Sequence, residues 1–471
     1  MPVSTDDFLG ELRWRGLLQQ CTDEQGLAAH LGALPVVRGD AQPGGRRAYV
    51  GFDPTADSLT IGNLVGIIQL ARLQRAGHTP VVIMGGGTGF IGDPSGKSAE
   101  RMLLTPEVIS HNVRCITRIF DRPELLDFGV ERPNRAVILD NHDWLGKLSY
   151  IQLLRDVGKH FSVNMMIQKE SVKERLHNRD QGISYTEFSY MILQAYDYLH
   201  LFEQHGVTLQ MGGSDQFGNI VCGMDLIRKH QLQPLFDTGS FRADPNTHNQ
   251  QQMAMEGMQP KYVFGLTWPL VTKADGGKFG KSETGAVWLT AERTSPYAFY
   301  QFWLNAADGD VIRFLKIFTF IPVEEIAAIE AAHTAEPGKR EAQRTLARHM
   351  TELLHGAAGR EHAEAAAKAL FTGDIAHLPL ATLEEALASA PATDHARAEL
   401  EGQGIALLDL LAQTSLAKSK SEARTLLSQN SISVNGHKAA ADARLTAATL
   451  LHDKVIAIRR GNKAWHITRW A

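Results

Sequence analysis

Two short polar segments of this chain contain residue types that can hold a chain of phosphates. The first is residues 53–63, which lies between a short apolar run and a longer apolar stretch at 64–73 with helix-like spacing. Gly62 lets the backbone approach a ligand closely, and the free N–H groups and dipole of a helix N-terminus attract phosphate. Thr60 and Asn63, three residues apart, would share one face there. The segment predicts a nucleotide-binding turn from strand to helix.

The second segment is a glycine-rich stretch at residues 274–284, for which we predict a mobile loop. It contains Lys278, Lys281 and Ser282, and two lysines could neutralise a leaving pyrophosphate. Each segment alone is a weak signal, because lysine pairs are common in solvated loops. Both segments in this order along one chain are a specific signal.

The two segments together resemble the signature motifs of class I aminoacyl-tRNA synthetases. Residues 60–63 read Thr-Ile-Gly-Asn where that family has His-Ile-Gly-His, and residues 278–282 read Lys-Phe-Gly-Lys-Ser where it has Lys-Met-Ser-Lys-Ser. The Lys-Phe-Gly-Lys form is similar to the bacterial tyrosyl-tRNA synthetases, as are further blocks from about residue 8 to the C-terminus. These blocks are residues 51–59, 89–96, 185–190, 212–216 and 294–297. Thr60 departs from the family pattern, which usually has His.

The resemblance implies a reaction in two steps. Tyrosine attacks Mg-ATP to form tyrosyl-adenylate with release of pyrophosphate, and the terminal adenosine of tRNA(Tyr) then takes the tyrosyl group. It assigns Tyr49 and Asp197 to the tyrosine phenol, and Thr88, Asp93, Tyr190 and Gln194 to the α-amino end. It assigns ATP to Gly51, Asp53, Gly62, Asp215, Gln216 and Lys281. It assigns catalytic contacts, mostly to the phosphates, to Thr55, Thr60, Asn63, Lys97, Arg101, Lys278, Lys281 and Ser282.

The helix-like spacing around residue 194 supports the tyrosine subsite independently. Tyr190, Gln194 and Asp197 recur at i, i+4 and i+7 in an otherwise apolar helical run, so they would line one face.

The sequence has no cluster of metal ligands, so we expect Mg²⁺ to be held mainly by ATP phosphates and no tightly bound cofactor.

Composition indicates a large soluble enzyme. The 471 residues suggest about three domains, and 44% apolar residues with no long apolar run exclude a membrane span. Asp6, Asp7 and Glu11 are unlike a signal or transit peptide, so we expect a cytoplasmic protein. Three cysteines far apart in the chain indicate neither a disulfide framework nor a metal site.

Charge is concentrated near the C-terminus. Residues 415–470 have ten Lys or Arg against three acidic side chains, a net charge of +7, whereas the whole chain has −4. A basic tail on an acidic body indicates a polyanionic partner. Residues 419–427 predict a basic amphipathic helix, followed by a strand with an Asn-Gly turn and a later strand at 455–460. This order resembles the ribosomal-protein-S-four-like module of bacterial tyrosyl enzymes, which implies tRNA contacts by Lys418, Lys420, Arg424, Arg459 and Arg460.

The alternation of apolar strands with helical segments predicts an α/β fold with a Rossmann-like parallel sheet. The predicted strands are residues 49–53, 80–86, 136–140 and 209–212. We expect a catalytic domain at 1–292, a helical domain at 293–371, a linker at 372–404, and a small α+β RNA-binding domain at 405–471. Residues 231–259 look like a polar insertion.

Two other functions stay open at this point. A tryptophanyl enzyme would share the architecture, although Tyr49 and Asp197 suit a phenol better than an indole. A catalytically weakened RNA-binding paralogue is suggested by Thr60 and the insertion. A homodimer is expected from the family resemblance alone.

Overall fold

The structure, a computed structural model, describes residues 7–32, 45–95, 103–169, 172–173, 176, 182–237, 263–274, 276, 279–282, 285–388, 390–461 and 464–471, with the backbone alone at 233–237 and 281–282. Its strands, in chain order, are β1 (Gln20–Cys21), β2 (Arg47–Phe52), β3 (Thr79–Met84), β4 (Val137–Asp140), β5 (Val207–Gly213), β6 (Phe264–Trp268), β7 (Lys281–Ser282), β8 (Gly285–Ala286), β9 (Ala392–His395), β10 (Ile405–Ala406), β11 (Ile432–Val434), β12 (His437–Lys438), β13 (Arg444–Leu445), β14 (Val455–Arg460) and β15 (Ala464–Trp470).

The helices of the described residues are named in the same way. They are α1 (Phe8–Trp14), α2 (Glu24–Gly32), α3 (Ile61–Arg75), α4 (Pro106–Thr117), α5 (His142–Leu145), α6 (Tyr150–Gln152), α7 (Val163–Ile167), α8 (Tyr185–His205), α9 (Phe217–Asp237), α10 (Pro296–Leu304), α11 (Asp308–Phe318), α12 (Val323–Ala335), α13 (Glu341–Thr372), α14 (Leu380–Ala386), α15 (Leu407–Leu411) and α16 (Lys420–Ser428). Helix α13 is interrupted at Gly356, where φ is 74°. None of the helices in the described ranges is long and apolar enough to cross a membrane.

A six-stranded sheet organises the first part of the chain, in the order β1-β6-β5-β2-β3-β4. Strands β2 to β6 pair in parallel, and only the short β1 is antiparallel to its neighbour β6. The four predicted strands, and with them the parallel α/β class, are confirmed. Because the chain adds β3 and β4 on one side of β2 and then returns to place β5 on the other, a topological switch point lies between β2 and β5.

The helix that follows β2 is nearly all buried. From Leu64 to Gln74 its side chains lie in the interior, which explains the continuous apolar run in the sequence. Arg72 is charged although it is only 1% exposed. Its guanidinium donates to the carbonyl oxygens of Ile317 and Thr319 at 3.0 and 2.8 Å. Buried polar groups need such partners, so Arg72 fixes the end of α11 against α3.

The chain divides into two compact units whose limits differ from the expected domains. The first comprises residues 1–293 and 307–342, and the second comprises 294–306 and 343–471. The expected helical domain at 293–371 is therefore not one body. Its segment 307–342 belongs to the first unit because Arg72 and Arg15 both hydrogen-bond carbonyl groups at residues 316–321.

The second unit contains a five-stranded sheet in the order β12-β11-β14-β15-β9. Strand β14 is buried on both faces: Ile456 and Ile458 pack with α15 and α16, whereas Val455 and Ala457 pack with residues of α13 and α14. The expected linker at 372–404 is corrected here, because it contains α14 and β9, and β9 pairs in parallel with β15. The predicted helix, Asn435-Gly436 turn and late strand are present as α16, the β11–β12 hairpin and β14.

The proposed insertion is only partly visible. Helix α9 continues through residues 231–237, so this first part extends a helix. Residues 238–259 lie outside the described residues.

Candidate active site

A cavity of about 450 Å³ opens at the carboxyl ends of the parallel strands, a size typical of small-molecule sites. It is lined by residues at the ends of β2, β3, β5 and β6 and by the start of α3, which places it at the switch point of the sheet. Every described residue that the sequence assigned to tyrosine lines it: Tyr49, Thr88, Asp93, Tyr190, Gln194 and Asp197. So do eight of those assigned to ATP and the phosphates: Gly51, Asp53, Thr55, Thr60, Gly62, Asn63, Asp215 and Gln216.

The buried end of the cavity has polar groups whose partners are incomplete. The hydroxyl of Tyr49 and Oε1 of Gln210 are buried and make no hydrogen bond to any residue that the structure describes. Asp197, 4% exposed, lines the same cavity and accepts hydrogen bonds from Asn141 Nδ2 at 2.9 Å and Trp144 Nε1 at 2.7 Å. Orphaned buried polar atoms are costly, so this end is built for a ligand that supplies hydrogen bonds.

Burial sets the acidity of these groups. Burial raises the pKa of Asp197 to about 7; the hydrogen bonds from Asn141 and Trp144 oppose that rise, and the nearby Asp53 adds to it. Burial first, and then the Asp197 charge, hold the pKa of Tyr49 well above its usual value. The Tyr49 hydroxyl therefore keeps its proton near neutral pH and can donate it to a ligand oxygen.

Asp53 connects two of the residues assigned to the tyrosine α-amino group. Its Oδ1 accepts from the Thr88 hydroxyl at 2.8 Å, and its Oδ2 accepts from the Tyr190 hydroxyl at 2.9 Å. Burial, followed by the charges of Asp53 and Asp93, raises the pKa of Tyr190 well above its usual value. This part of the cavity is acidic and suits a positively charged ligand group.

Gln216 lies with the tyrosine residues as well as with its neighbour Asp215. Its Nε2 donates to Asp93 Oδ2 at 2.7 Å and to Asp215 Oδ2 at 3.3 Å, and its Oε1 accepts from Gln194 Nε2 at 3.2 Å. Asn219 completes the chain by donating to Gln194 Oε1 at 2.9 Å. The amide of Gln216 thus joins the set of side chains around the amino end, although the sequence resemblance placed it with ATP.

The first signature segment forms the start of α3. Thr60 is the residue before the helix, and its backbone N–H and its hydroxyl both donate to Asn63 Oδ1, at 3.0 and 2.9 Å. The expectation that these two side chains share one face is confirmed. Both also line the cavity, where Asn63 is exposed and Thr60 is half-buried.

The residues that directly follow the glycine-rich stretch at 274–284, called the lysine segment below, are joined to this turn through their backbone. The N–H of Ile61 donates to the Val287 carbonyl, and the N–H of Leu289 donates to the Leu59 carbonyl, both at 2.9 Å. A Cβ added to Gly280 would lie 2.8 Å from the side chain of Ile61, so only glycine allows this close approach. Phe279 packs between Phe314 and Phe318, with ring centroids 5.0 and 5.2 Å away.

These contacts bring the backbone of β7, which carries Lys281 and Ser282, beside the N-terminus of α3. Lys97, Arg101 and Lys278 lie outside the described residues, so their assignments stay predictions.

Four of the five residues that were expected to form a basic surface on the second unit are exposed, and Arg459 is not. Lys418, Lys420, Arg424 and Arg460 are exposed, and Lys420 and Arg460 form ion pairs with Asp409 and Glu422. Arg459 is only 7% exposed, and it donates to the carbonyl oxygens of Phe371 and Thr372 and lies over the Trp465 ring. Arg459 holds the fold together and does not form part of a surface for RNA.

Three residues at or behind the buried end of the cavity were not predicted from the sequence: Asn141, Trp144 and Gln210. Asn141 and Trp144 follow the carboxyl end of β4, the edge where ligands of parallel sheets lie, and that position is the signal that could have found them. Gln210 sits inside the predicted strand β5, where a polar side chain flanked by apolar ones is unusual.

The comparisons with known proteins agree with this geometry. A family model described as tRNA synthetases class I (W and Y) matches residues 44–372, and a model described as tyrosine–tRNA ligase SYY-like C-terminal domain matches residues 386–468. The chain is 46% identical over 466 residues to a tyrosine–tRNA ligase of Bacillus caldotenax, covering 99% of this chain and 100% of that protein. It is 45% identical over 470 residues to that of Aliivibrio fischeri, with the same coverage.

Solved structures give the same result. A C-terminally truncated mitochondrial tyrosyl-tRNA synthetase of Aspergillus nidulans is 28% identical with a TM-score of 0.64, over 78% of this chain and 94% of that one. Its counterpart from Coccidioides posadasii is 32% identical with a TM-score of 0.60, over 76% of this chain and 90% of that one. The chain therefore belongs to the tyrosine–tRNA ligase family of class I aminoacyl-tRNA synthetases.

Proposed function

We propose that this chain activates L-tyrosine with Mg-ATP and transfers the tyrosyl group to the terminal adenosine of tRNA(Tyr). The observation that carries the proposal is the buried end of the cavity, where Asp197 lies with two buried polar atoms, Tyr49 Oη and Gln210 Oε1, that have no hydrogen-bond partner among the described residues. Tyrosine-dependent exchange between ATP and pyrophosphate tests it.

The donors and acceptors at this end favour a phenol over an indole. A phenol oxygen can accept a hydrogen bond from Tyr49 and donate one to Asp197, so both groups are satisfied. An indole N–H can only donate, which would leave the Tyr49 proton unpaired in a buried site. Tyrosine is therefore the better substrate than tryptophan for this cavity.

In the first step, a carboxylate oxygen of tyrosine attacks the α-phosphorus of ATP, and the bond from that phosphorus to the bridging oxygen breaks. Pyrophosphate leaves with the negative charge. The nucleophile is already ionised, so the chain supplies alignment and charge stabilisation, without a side-chain nucleophile. Asp53, Tyr190 and Thr88 would fix the amino end, and Thr55, Asn63 and the N-terminus of α3 would face the phosphates.

Five further residues belong to the phosphate side of this proposal. They are Lys97, Arg101, Lys278 and Lys281 with Ser282, whose positive charges and hydroxyl would balance the charge that develops on pyrophosphate. Mg²⁺ would arrive with ATP and be held by its phosphates.

In the second step, a ribose hydroxyl of the terminal adenosine attacks the tyrosyl carbonyl carbon, and AMP leaves. The exposed cations Lys418, Lys420, Arg424 and Arg460 would bind phosphates of the same tRNA. Three unpaired cysteines and bacterial relatives support a reducing cytoplasm as the location.

A homodimer is supported by an exposed apolar surface in the first unit. Among the described residues between 150 and 185, eight large apolar side chains are at least 38% exposed: Tyr150, Ile151, Leu154, Val163, Met165, Ile167, Leu176 and Tyr185. The hydroxyls of Tyr150 and Tyr185 lie 3.2 Å apart, which joins the two ends of this segment. Soluble proteins seldom expose such surfaces unless a partner covers them, and the family expectation makes a second copy the partner.

Sedimentation equilibrium tests the dimer. Ile151→Glu should give a monomer, because it places a charge in the apolar interface. Val130→Glu is the matched control, since Val130 is 76% exposed but lies outside this segment. A monomeric wild type, or dissociation by both variants, would contradict the assignment of this surface.

A catalytically weak RNA-binding relative is the second candidate, and Thr60 in place of His is the observation that favours it. The complete set of tyrosine-site residues in one cavity favours an active enzyme. The same exchange assay separates the two.

A further inference from the structure

We propose that Thr60 is a positioning residue that acts through Asn63, and that the side-chain N–H donors of Asn63 are what this turn offers to the phosphates of ATP. The inference rests on the proposed activation of tyrosine by ATP. It concerns a residue pair of this chain, in which neither member is the usual His.

The orientation of the Asn63 amide follows from the contact with Thr60. A backbone N–H can only donate, so the Asn63 atom 3.0 Å from the Thr60 nitrogen must be the oxygen, Oδ1. The Thr60 hydroxyl then also donates to that oxygen, at 2.9 Å. Two donors on one acceptor fix which way the amide is turned.

The opposite side of the amide is therefore Nδ2, with two N–H groups. No hydrogen bond from Nδ2 occurs to any part of the chain that the structure describes, and Asn63 is exposed on the wall of the cavity. If the amide were reversed, an oxygen would face the phosphates and repel them. Holding Oδ1 against Thr60 thus keeps the donors directed at the ligand.

Thr60 itself is not free for the same task. Its hydroxyl proton is used in the 2.9 Å hydrogen bond to Asn63 Oδ1. Its backbone is also held by the strand-like pairing with Trp288 beside the lysine segment. The hydroxyl therefore contributes through the orientation of Asn63, not by contact with a phosphate.

Variants separate this role from a structural one. Asn63→Asp keeps both acceptor bonds and places negative charge at a helix N-terminus, so the unfolding midpoint should stay the same or rise. The same change removes both donors, and the kcat of tyrosine-dependent exchange should fall by about 100-fold. Loss of activity through misfolding would lower both quantities together and would overturn the proposal.

The hydroxyl is tested by two substitutions of Thr60. Thr60→Val removes only the hydroxyl and should lower kcat by about three- to tenfold with the KM for tyrosine unchanged. Thr60→Ser retains the hydroxyl and should stay within about twofold of the wild type. If kcat falls as much in Thr60→Ser as in Thr60→Val, the hydroxyl is not responsible for the effect and the proposal fails.

A double-mutant cycle decides whether Thr60 acts through Asn63. In an Asn63→Ala background, Thr60→Val should cause no further loss, because the group to be oriented is gone. If the loss of kcat in the double variant equals the product of the two single losses, Thr60 acts independently of Asn63 and the inference is overturned. A wild type without tyrosine-dependent exchange would reject the proposed function, whereas an active wild type with multiplicative effects in the cycle would reject only the role of Thr60.

Discussion

The backbone N–H and the hydroxyl of Thr60 both donate to Oδ1 of Asn63, at 3.0 and 2.9 Å. Position 60, where the family usually has His, is thus occupied by a neutral side chain whose hydroxyl proton is already donated to Asn63. Gly62 and Asn63, which follow Thr60 in the turn, both line the cavity. In the proposed arrangement Thr60 orients the Asn63 amide, and Asn63 binds the phosphates.

Restoring the family residue should not speed this enzyme. Thr60→His removes the hydroxyl bond to Asn63, so we expect the adenylation rate to stay below about twofold above the wild type. The rate of adenylate formation in a rapid-quench experiment measures this directly, with Thr60→Ser as the control that keeps the bond. A gain of about fivefold or more would mean that Thr60 has a catalytic cost that the Asn63 contact does not explain.

Removing the orphaned hydroxyl of Tyr49 should separate stability from substrate binding. Tyr49→Phe deletes a buried hydroxyl without a hydrogen-bond partner among the described residues, so the free energy of unfolding should stay within about 1 kcal/mol of the wild type or rise. The dissociation constant for tyrosine should increase about tenfold, since a hydrogen bond to the phenol is lost. Denaturant titration and equilibrium dialysis give the two quantities.

Tyr198→Phe is the matched control for that experiment. Tyr198 packs against Tyr49 with ring centroids 5.5 Å apart, but its hydroxyl donates to the Phe264 carbonyl at 2.8 Å. Its loss should destabilise the fold by about 1–2 kcal/mol and leave tyrosine affinity unchanged. The opposite pattern in the two variants would remove Tyr49 from the phenol site.

Tyrosine binding should depend on pH through Asp197. Because burial raises the pKa of this carboxyl to about 7, most molecules of the empty protein carry it protonated at pH 6 and ionised at pH 8. Only the ionised form is a full acceptor for the phenol, so affinity should rise about tenfold over this range. Equilibrium dialysis without ATP avoids titration of the phosphates, and Asp197→Asn should give a flat profile. Equal affinities of the wild type at pH 6 and pH 8 would contradict this role.

The same pKa shift has a defined effect on stability. The folded state holds this proton up to about pH 7, whereas the unfolded chain loses it near the model-peptide value of 3.8. The unfolded state thus binds fewer protons between these values, so Asp197 lowers stability as the pH rises through that window. Asp197→Asn should remove this part of the pH dependence in thermal unfolding.

The basic surface of the second unit should act on tRNA and not on tyrosine activation. Reversing charge at Lys418, Lys420 and Arg424 should raise the KM for tRNA in charging by about tenfold or more at low salt, and reduce its salt dependence. Tyrosine-dependent exchange should be unchanged. Arg459→Ala should instead lower the unfolding midpoint, since Arg459 is buried against the backbone of α13. A charge-reversed protein with normal charging would show that tRNA binds elsewhere.

Much of the catalytic unit was predictable from sequence because its signals are local. The strands β2 to β5 appear as apolar runs, and Tyr190, Gln194 and Asp197 appear at helical spacing and do line one cavity. The partners of Asp197 were not predictable in this way. Asn141 precedes the four-residue helix α5 and Trp144 lies within it, and so short a helix shows no periodicity. Only the folded sheet brings them to a helix more than fifty positions further along the chain.

The second unit was harder to predict, because β14 is buried on both faces and shows no alternation. Charge alone placed Arg459 on a surface, whereas its strand position directs it to the same face as Val455 and Ala457, towards α13. The segment at 372–404 has a short helix and a short strand with weak patterns, and its structure comes from pairing with β15, the last strand of the chain. Contacts that far apart in sequence leave no local signal.

The central claim is that the cavity at the switch point activates tyrosine, and ATP–pyrophosphate exchange by the purified full-length chain tests it most directly. With Mg-ATP and labelled pyrophosphate, we predict robust formation of labelled ATP that requires L-tyrosine and does not occur with L-tryptophan. Exchange that requires tryptophan, or no exchange with either amino acid while the protein is folded and binds tRNA, would contradict the account.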